Sequence, residues 1–141
     1  MQRVSEAEVT VAGVSVGRIG EGILALVAIS RTDTEEDLEW MARKIIELRI
    51  FDDQEGKLNL SLLDKKGELL IVSQFTLYGD CRKGRRPSYT DAAPPEQAER
   101  LYEKFVEIVR RTLPGVQTGR FQASMDVRLT NSGPVTLIIE R

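Results

Sequence analysis

Two short segments of this chain hold the residue types that could do chemistry, Ser73-Gln74-Phe75-Thr76-Leu77 and Asn131-Ser132-Gly133-Pro134-Val135-Thr136. The first is a polar cluster that follows the apolar run Leu69-Leu70-Ile71-Val72. If residues 67–78 continue as one strand, Gln74 and Thr76 share a face, with Ser73, Phe75 and Leu77 on the other. That reading allows either a core strand with satisfied hydroxyls or a polar strand end lining a pocket. Thr76 is a nucleophile only if a base activates it, and the nearest carboxylate in sequence is Asp80. Thr76 therefore ranks as a positioning and hydrogen-bonding group ahead of a nucleophile. In the second segment Gly133 carries no Cβ and Pro134 no N–H, so the main chain there is rigid and bare. By itself the segment reads as a hairpin turn.

The chain has no histidine and one cysteine, Cys81. Ser-His-Asp and Cys-His machinery is excluded, as are the ordinary zinc sites. Asp52-Asp53-Gln54-Glu55-Gly56 lacks the ligand spacing of a calcium loop and reads as a solvated turn. No metal and no cofactor is expected. Chemistry is left to carboxylates, hydroxyls, main-chain dipoles or groups that a substrate brings. The formal charge of −2 argues against indiscriminate nucleic-acid binding, yet Arg82, Lys83, Arg85 and Arg86 fall close together just after the first segment. This run is either a solvated loop or a patch for phosphates.

The elements that must position these residues follow from hydrophobic period. Residues 4–11, 14–19 and 23–29 read as strands joined by turns at Ala12-Gly13 and Gly20-Glu21-Gly22, an antiparallel meander. The third is apolar on both faces, as a central strand would be. Leu38, Met41, Ala42, Ile45 and Leu48 keep helical spacing behind Thr32, Asp33 and Thr34 as possible N-caps and the acidic Glu35, Glu36 and Asp37. A second helix follows Pro94-Pro95, with Ala98, Leu101, Tyr102, Phe105, Ile108 and Val109 as its stripe. Phe121, Ala123, Met125, Val127 and Leu129 alternate with polar residues as a half-buried strand, and residues 135–139 read as another. The expected fold is α+β over residues 1–141 as a single domain: a mainly antiparallel, barrel-like sheet with two packed helices. No run is long enough to cross a membrane, and the N-terminus lacks a signal-peptide layout, so a cytoplasmic protein is expected.

Taken in order, Leu48-Arg49-Ile50-Phe51, residues 73–77, Lys83-Gly84-Arg85-Arg86-Pro87-Ser88, Thr118-Gly119-Arg120-Phe121 and residues 131–136 closely resemble the D-aminoacyl-tRNA deacylase family. The resemblance spans nearly the whole chain. It departs at Gly79, Cys81 and Ser124, and Ser132 fills a variable motif position. The chain is a few residues shorter at the first strand than family members usually are, which would either weaken that strand's pairing or reflect a different start site. The resemblance implies a dimeric enzyme that cleaves the ester of a D-amino acid, or glycine, at the 3′ end of tRNA. It implies a catalytic segment of Ser73, Gln74, Phe75 and Thr76, with the substrate's own 2′-hydroxyl assisting water. Gly133-Pro134 would be a cis element that enters the partner subunit's pocket and excludes L-amino acids. Phe121, Ala123 and Met125 would line an adenosine pocket, unless they are ordinary core, and Arg82, Lys83, Arg85 and Arg86 would meet tRNA phosphates. Two other classes stay open: a threonine-nucleophile hydrolase using Thr76, and a non-catalytic nucleic-acid-binding module.

Overall fold

The computed structural model covers Met1–Arg141. Its elements in chain order are β1 (Gln2–Val11), β2 (Val14–Ile19), β3 (Gly22–Val27), α1 (Glu35–Glu47), β4 (Phe51–Asp52), β5 (Leu58–Leu60), α2 (Leu62–Lys65), β6 (Glu68–Ser73), α3 (Pro95–Thr112), β7 (Gln117–Thr118) and β8 (Asp126–Thr136). A 3-10 turn occupies Phe75–Tyr78. The fold is α+β, as the hydrophobic periods predict.

The N-terminal strands do not form a meander. Ala7 lies opposite Ile19 and Val4 opposite Gly22, an equal step on both sides of the ladder. Thus Gly20-Glu21-Gly22 bends the chain without reversing it, and β3 continues β2 along the same edge of β1. Gly22 is needed for packing, because a Cβ there would sit 1.9 Å from the Glu68 carbonyl oxygen of the neighbouring strand. β3 pairs parallel with β6, β6 pairs parallel with β7, and β8 runs antiparallel along the other edge of β1. The sheet curls until β2 approaches β7: a Cβ on Gly17 would be 2.8 Å from the Thr118 carbonyl. The short start does not weaken β1, since Gln2 pairs with both Leu24 and Thr136. Met1 and Leu137 also exchange main-chain hydrogen bonds of 2.7 and 2.9 Å.

Period-2 alternation sorts the central strands between two cores. Ile23, Ala25, Leu69 and Ile71 face the helices, where they meet Leu38, Ala42 and Ile45 of α1 and Leu101, Phe105 and Val109 of α3. Leu24, Leu70 and Val72 face the inside of the curl with Val4, Ala7, Val9 and Ile19. Each large side chain so buried contributes about 1.5–3 kcal/mol. α1 starts where expected: the Thr34 amide and hydroxyl both donate to Asp37 Oδ2, at 2.8 and 2.7 Å. Residues 53–57 form the turn between β4 and β5, in which Asp53 Oδ1 accepts from the amides of Glu55 and Lys57.

Tyr102 ties α3 to the strand that leads into the polar segment. Its hydroxyl donates to the Ile71 carbonyl at 3.0 Å, and burial pushes its pKa up to about 12. An unfolded tyrosine ionises near pH 10, so the folded chain holds a proton that the unfolded chain releases above that pH. The contribution of Tyr102 is therefore complete below about pH 10 and is lost as pH rises toward 12. Ile71 O also accepts from the Gly119 amide at 2.9 Å, so it keeps a partner without the tyrosine. Tyr102→Phe is expected to cost only about 0.5–1.5 kcal/mol at pH 7. It should also flatten the decline in stability above pH 10, both effects being read by urea unfolding over a pH series.

Candidate active site

The polar segment leaves the sheet earlier than alternation predicts. β6 ends at Ser73, the Gln74 amide donates to Val27 O at 2.8 Å, and the chain then coils into the 3-10 turn. The facing of residues 73–77 on opposite strand faces is thus replaced by a turn that exposes Phe75, Thr76 and Leu77 together. The cause is local: the parallel partner β3 stops opposite Ser73, so nothing holds the next residues extended. The first amides of a helical turn have no acceptor inside it. Those of Phe75 and Thr76 find none elsewhere in the chain. Two N–H donors therefore stand free beside an exposed hydroxyl.

Thr76 has no base. Its hydroxyl accepts a hydrogen bond from the Gln74 side-chain amide. Asp80 is fully occupied by Arg82: Oδ1 accepts from the arginine's backbone amide at 2.9 Å and its Nε at 2.8 Å, and Oδ2 from Nη2 at 2.8 Å. The guanidinium holds the Asp80 carboxyl down at about 2, so this group is a weak proton acceptor at neutral pH. Asp80 and Ser88 exchange main-chain bonds of 2.8 and 3.0 Å, which close the intervening residues into a loop. Arg82, Lys83, Arg85 and Arg86 are all exposed on it.

Phe121, Ala123 and Met125 do not share a strand face. They lie in a turn before β8, which begins only at Asp126, and Gln122 takes a positive φ of 57°. The alternation of half-buried and exposed residues survives all the same, which is why the pattern reads as strand. Because β7 runs parallel beside Leu70 and Ile71, the chain after Thr118 continues along the end of β6. Phe121 packs on Tyr102 at 5.8 Å between ring centroids, and Met125 packs on the inner core near Val72. Both are half-buried contacts of the core, next to the strand that delivers Ser73.

Gly133-Pro134 is not a hairpin turn, and residues 135–139 are not a second strand. β8 continues past it to Thr136, paired with β1 at both ends. Between Gln2 opposite Thr136 and Val4 opposite Asn131, β1 advances two residues and β8 five, so residues 132–135 bulge out of the ladder. The Gly133-Pro134 peptide is cis, Gly133 has φ +120°, and both residues are exposed. Two side chains clip the bulge. Asn131 accepts from the Val135 amide at 3.0 Å and donates to the Thr136 hydroxyl at 2.8 Å. Arg3 donates to Ser132 O at 3.0 Å and Ile50 O at 2.8 Å, and pairs with Asp52 at 3.2 Å. Sequence reasoning missed Arg3, a residue only 8% exposed whose charged group needs partners there.

The fold thus sets out a rigid exposed bulge and an exposed turn with main-chain donors, and positions no base on Thr76. The D-Tyr-tRNA(Tyr) deacylase family model matches residues 1–140, and the chain belongs to that family. It is 61% identical to a D-aminoacyl-tRNA deacylase of Bacillus velezensis over 99% of this chain and 95% of that one. It is 55% identical to the protein of the same description from Thermotoga petrophila, over 99% and 94%. Among solved structures it resembles the c-Myc DNA unwinding element binding protein, with a TM-score of 0.94 and 45% identity over 99% and 95% of the two chains.

Proposed function

We propose that this protein, as a single domain over residues 1–141, hydrolyses the ester of D-aminoacyl-tRNA, and of glycyl-tRNA, releasing the amino acid and free tRNA. The observation that carries the reading is the pair of acceptor-free amides at Phe75 and Thr76 on an exposed turn, in a chain of this family. An aminoacyl ester is already activated, so orientation and donors fixed at the developing oxyanion supply most of what catalysis needs. Water adds to the carbonyl carbon, the bond to the 3′ oxygen breaks, and the proton lost by water ends on that oxygen. The terminal 2′-hydroxyl assists the attack. Ser73 and Gln74 orient the end of the substrate, with Phe121, Ala123 and Met125 against the adenosine. No cofactor enters.

Selection by chirality is assigned to Gly133-Pro134 of a second copy. Bare main chain facing the substrate Cα leaves room for hydrogen or for a D side chain directed away, and collides with an L side chain. Three features support a homodimer with the site at its interface. The motif is exposed on its own chain; the outer edge of β8 has no partner strand; and β1 and β3 separate β8 from β6, about 14 Å along the sheet. An aminoacyl-tRNA substrate supports a cytoplasmic location; separately, no helix is long and apolar enough to cross a membrane.

The test is turnover of D-, L- and glycyl-aminoacyl-tRNA by the purified protein, with D and glycine hydrolysed and L spared. Equal rates on D and L would refute the selection, and binding without any turnover would leave a nucleic-acid-binding module, the reading favoured by the basic loop. Replacing Arg85 and Arg86 together by Gln is expected to lower the salt slope of tRNA binding by roughly one to two units. An unchanged slope would make the loop a solvated surface only.

A further inference from the structure

Alongside the Phe75–Tyr78 turn runs an open groove of about 520 Å³, lined by Leu77, Tyr78, Gly79, Asp80, Cys81 and Arg82. Close to it in the chain stands an exposed aromatic pair: Phe75 and Tyr89 are 55% and 37% exposed, with centroids 5.2 Å apart at 69°. The Tyr89 ring lies against Gly79, one of the lining residues. A Cβ there would stand 3.1 Å from Tyr89 Cε1 and 3.0 Å from Thr76 O. The far wall is the loop closed by Asp80 and Ser88, whose Arg82 is braced by Asp80 and whose Lys83, Arg85 and Arg86 carry no salt bridge. Exposed aromatic rings beside a track of cations are the means by which proteins hold single-stranded nucleic acid, rings for bases and cations for phosphates.

We propose that this groove holds the single-stranded nucleotides preceding the terminal adenosine of tRNA, with the penultimate base stacked on Tyr89 and its phosphates facing the basic loop. The assignment rests on the deacylase reading for the identity of the nucleic acid. The turn, the groove and the basic loop are consecutive in the chain. The free amides at Phe75 and Thr76 take the ester, the groove starts at Leu77, and the cations follow from Arg82. The concentration of positive charge, in a chain with a formal charge of −2, favours a polyanion over an apolar peptide or a second copy of the chain.

The experiment measures Kd for an uncharged ACCA oligonucleotide, intact or abasic at the penultimate position, with the wild type, Tyr89→Leu and Tyr89→Phe. Loss of the base is expected to weaken wild-type binding on the order of ten-fold. Tyr89→Phe, which keeps the ring, should show the same loss, and Tyr89→Leu less than about a two-fold one. Equal binding of intact and abasic RNA by the wild type overturns the proposal, even if a variant fails to fold. So does an undiminished loss in folded Tyr89→Leu. Binding of uncharged RNA needs no hydrolysis, so absence of turnover would defeat the deacylase reading without touching this result.

Discussion

Gly133→Ala is expected to lower kcat/KM for D-aminoacyl-tRNA on the order of 100-fold while the protein stays folded. Gly133 has φ +120°, a conformation that L side chains rarely adopt. The added Cβ would lie 2.5 Å from Arg3 Nη2 and 3.0 Å from Val135 Cγ2. Arg3 Nη2 must give way, which disturbs the guanidinium whose Nε and Nη1 hold Ser132 O and Ile50 O beside the bulge. Backbone strain at such a site costs more than about 1 kcal/mol. The core is spared, because residues 132–135 stand outside the β1–β8 ladder and Gly133 is exposed. Single-turnover kinetics beside a urea unfolding curve separate the two effects. Full activity with intact discrimination against L substrates would reduce the bulge to a structural feature of the edge strand.

Replacing the terminal 2′-hydroxyl of the substrate by hydrogen is expected to slow hydrolysis by roughly 10²–10⁴, the usual range for a lost general acid or base. Thr76→Ala should cost less than about ten-fold, since the oxyanion donors proposed are main-chain amides that alanine keeps. The structure supplies the reason for this order. Thr76 Oγ1 receives a bond from Gln74, and both Asp80 oxygens are held by Arg82, so no group is positioned to take the threonine proton. The opposite result, a 2′-deoxy substrate cleaved normally and Thr76→Ala inactive, would establish the threonine-nucleophile mechanism. Fold controls are simple, because Thr76 is exposed and its removal opens no cavity.

Much of the architecture was legible before any coordinates, and the successes share a cause. α1, α3 and β1 have apolar residues at spacings that one secondary structure buries, β3 and β6 are continuous apolar runs of strand length, and boundaries carry local signals such as Thr34 and Pro94-Pro95. The failures were at places where neighbours, not local pattern, decide. Gly20-Glu21-Gly22 carries the composition of a turn, yet β1 accepts β2 and β3 along one edge and straightens it into a bend. Gly133-Pro134 has the composition of a hairpin, yet β1 pairs on both sides of it and makes it a bulge.

By itself the sequence determined the α+β class, the two segments where chemistry could sit, and the exclusion of histidine-based mechanisms, because composition and period are properties of the chain alone. The tertiary structure decided which atoms those segments present. Residues 73–77 became a turn with free amides because β3 ends at Val27 and leaves them without a parallel partner. The bulge took its form because Arg3, 129 positions away from Ser132, donates to its carbonyl. Asp80 was withdrawn as a base by a guanidinium whose orientation no spacing rule reports. Each of these is a hydrogen bond whose partner is chosen by the folded geometry of strands and loops, and residue type and spacing alone do not specify that choice.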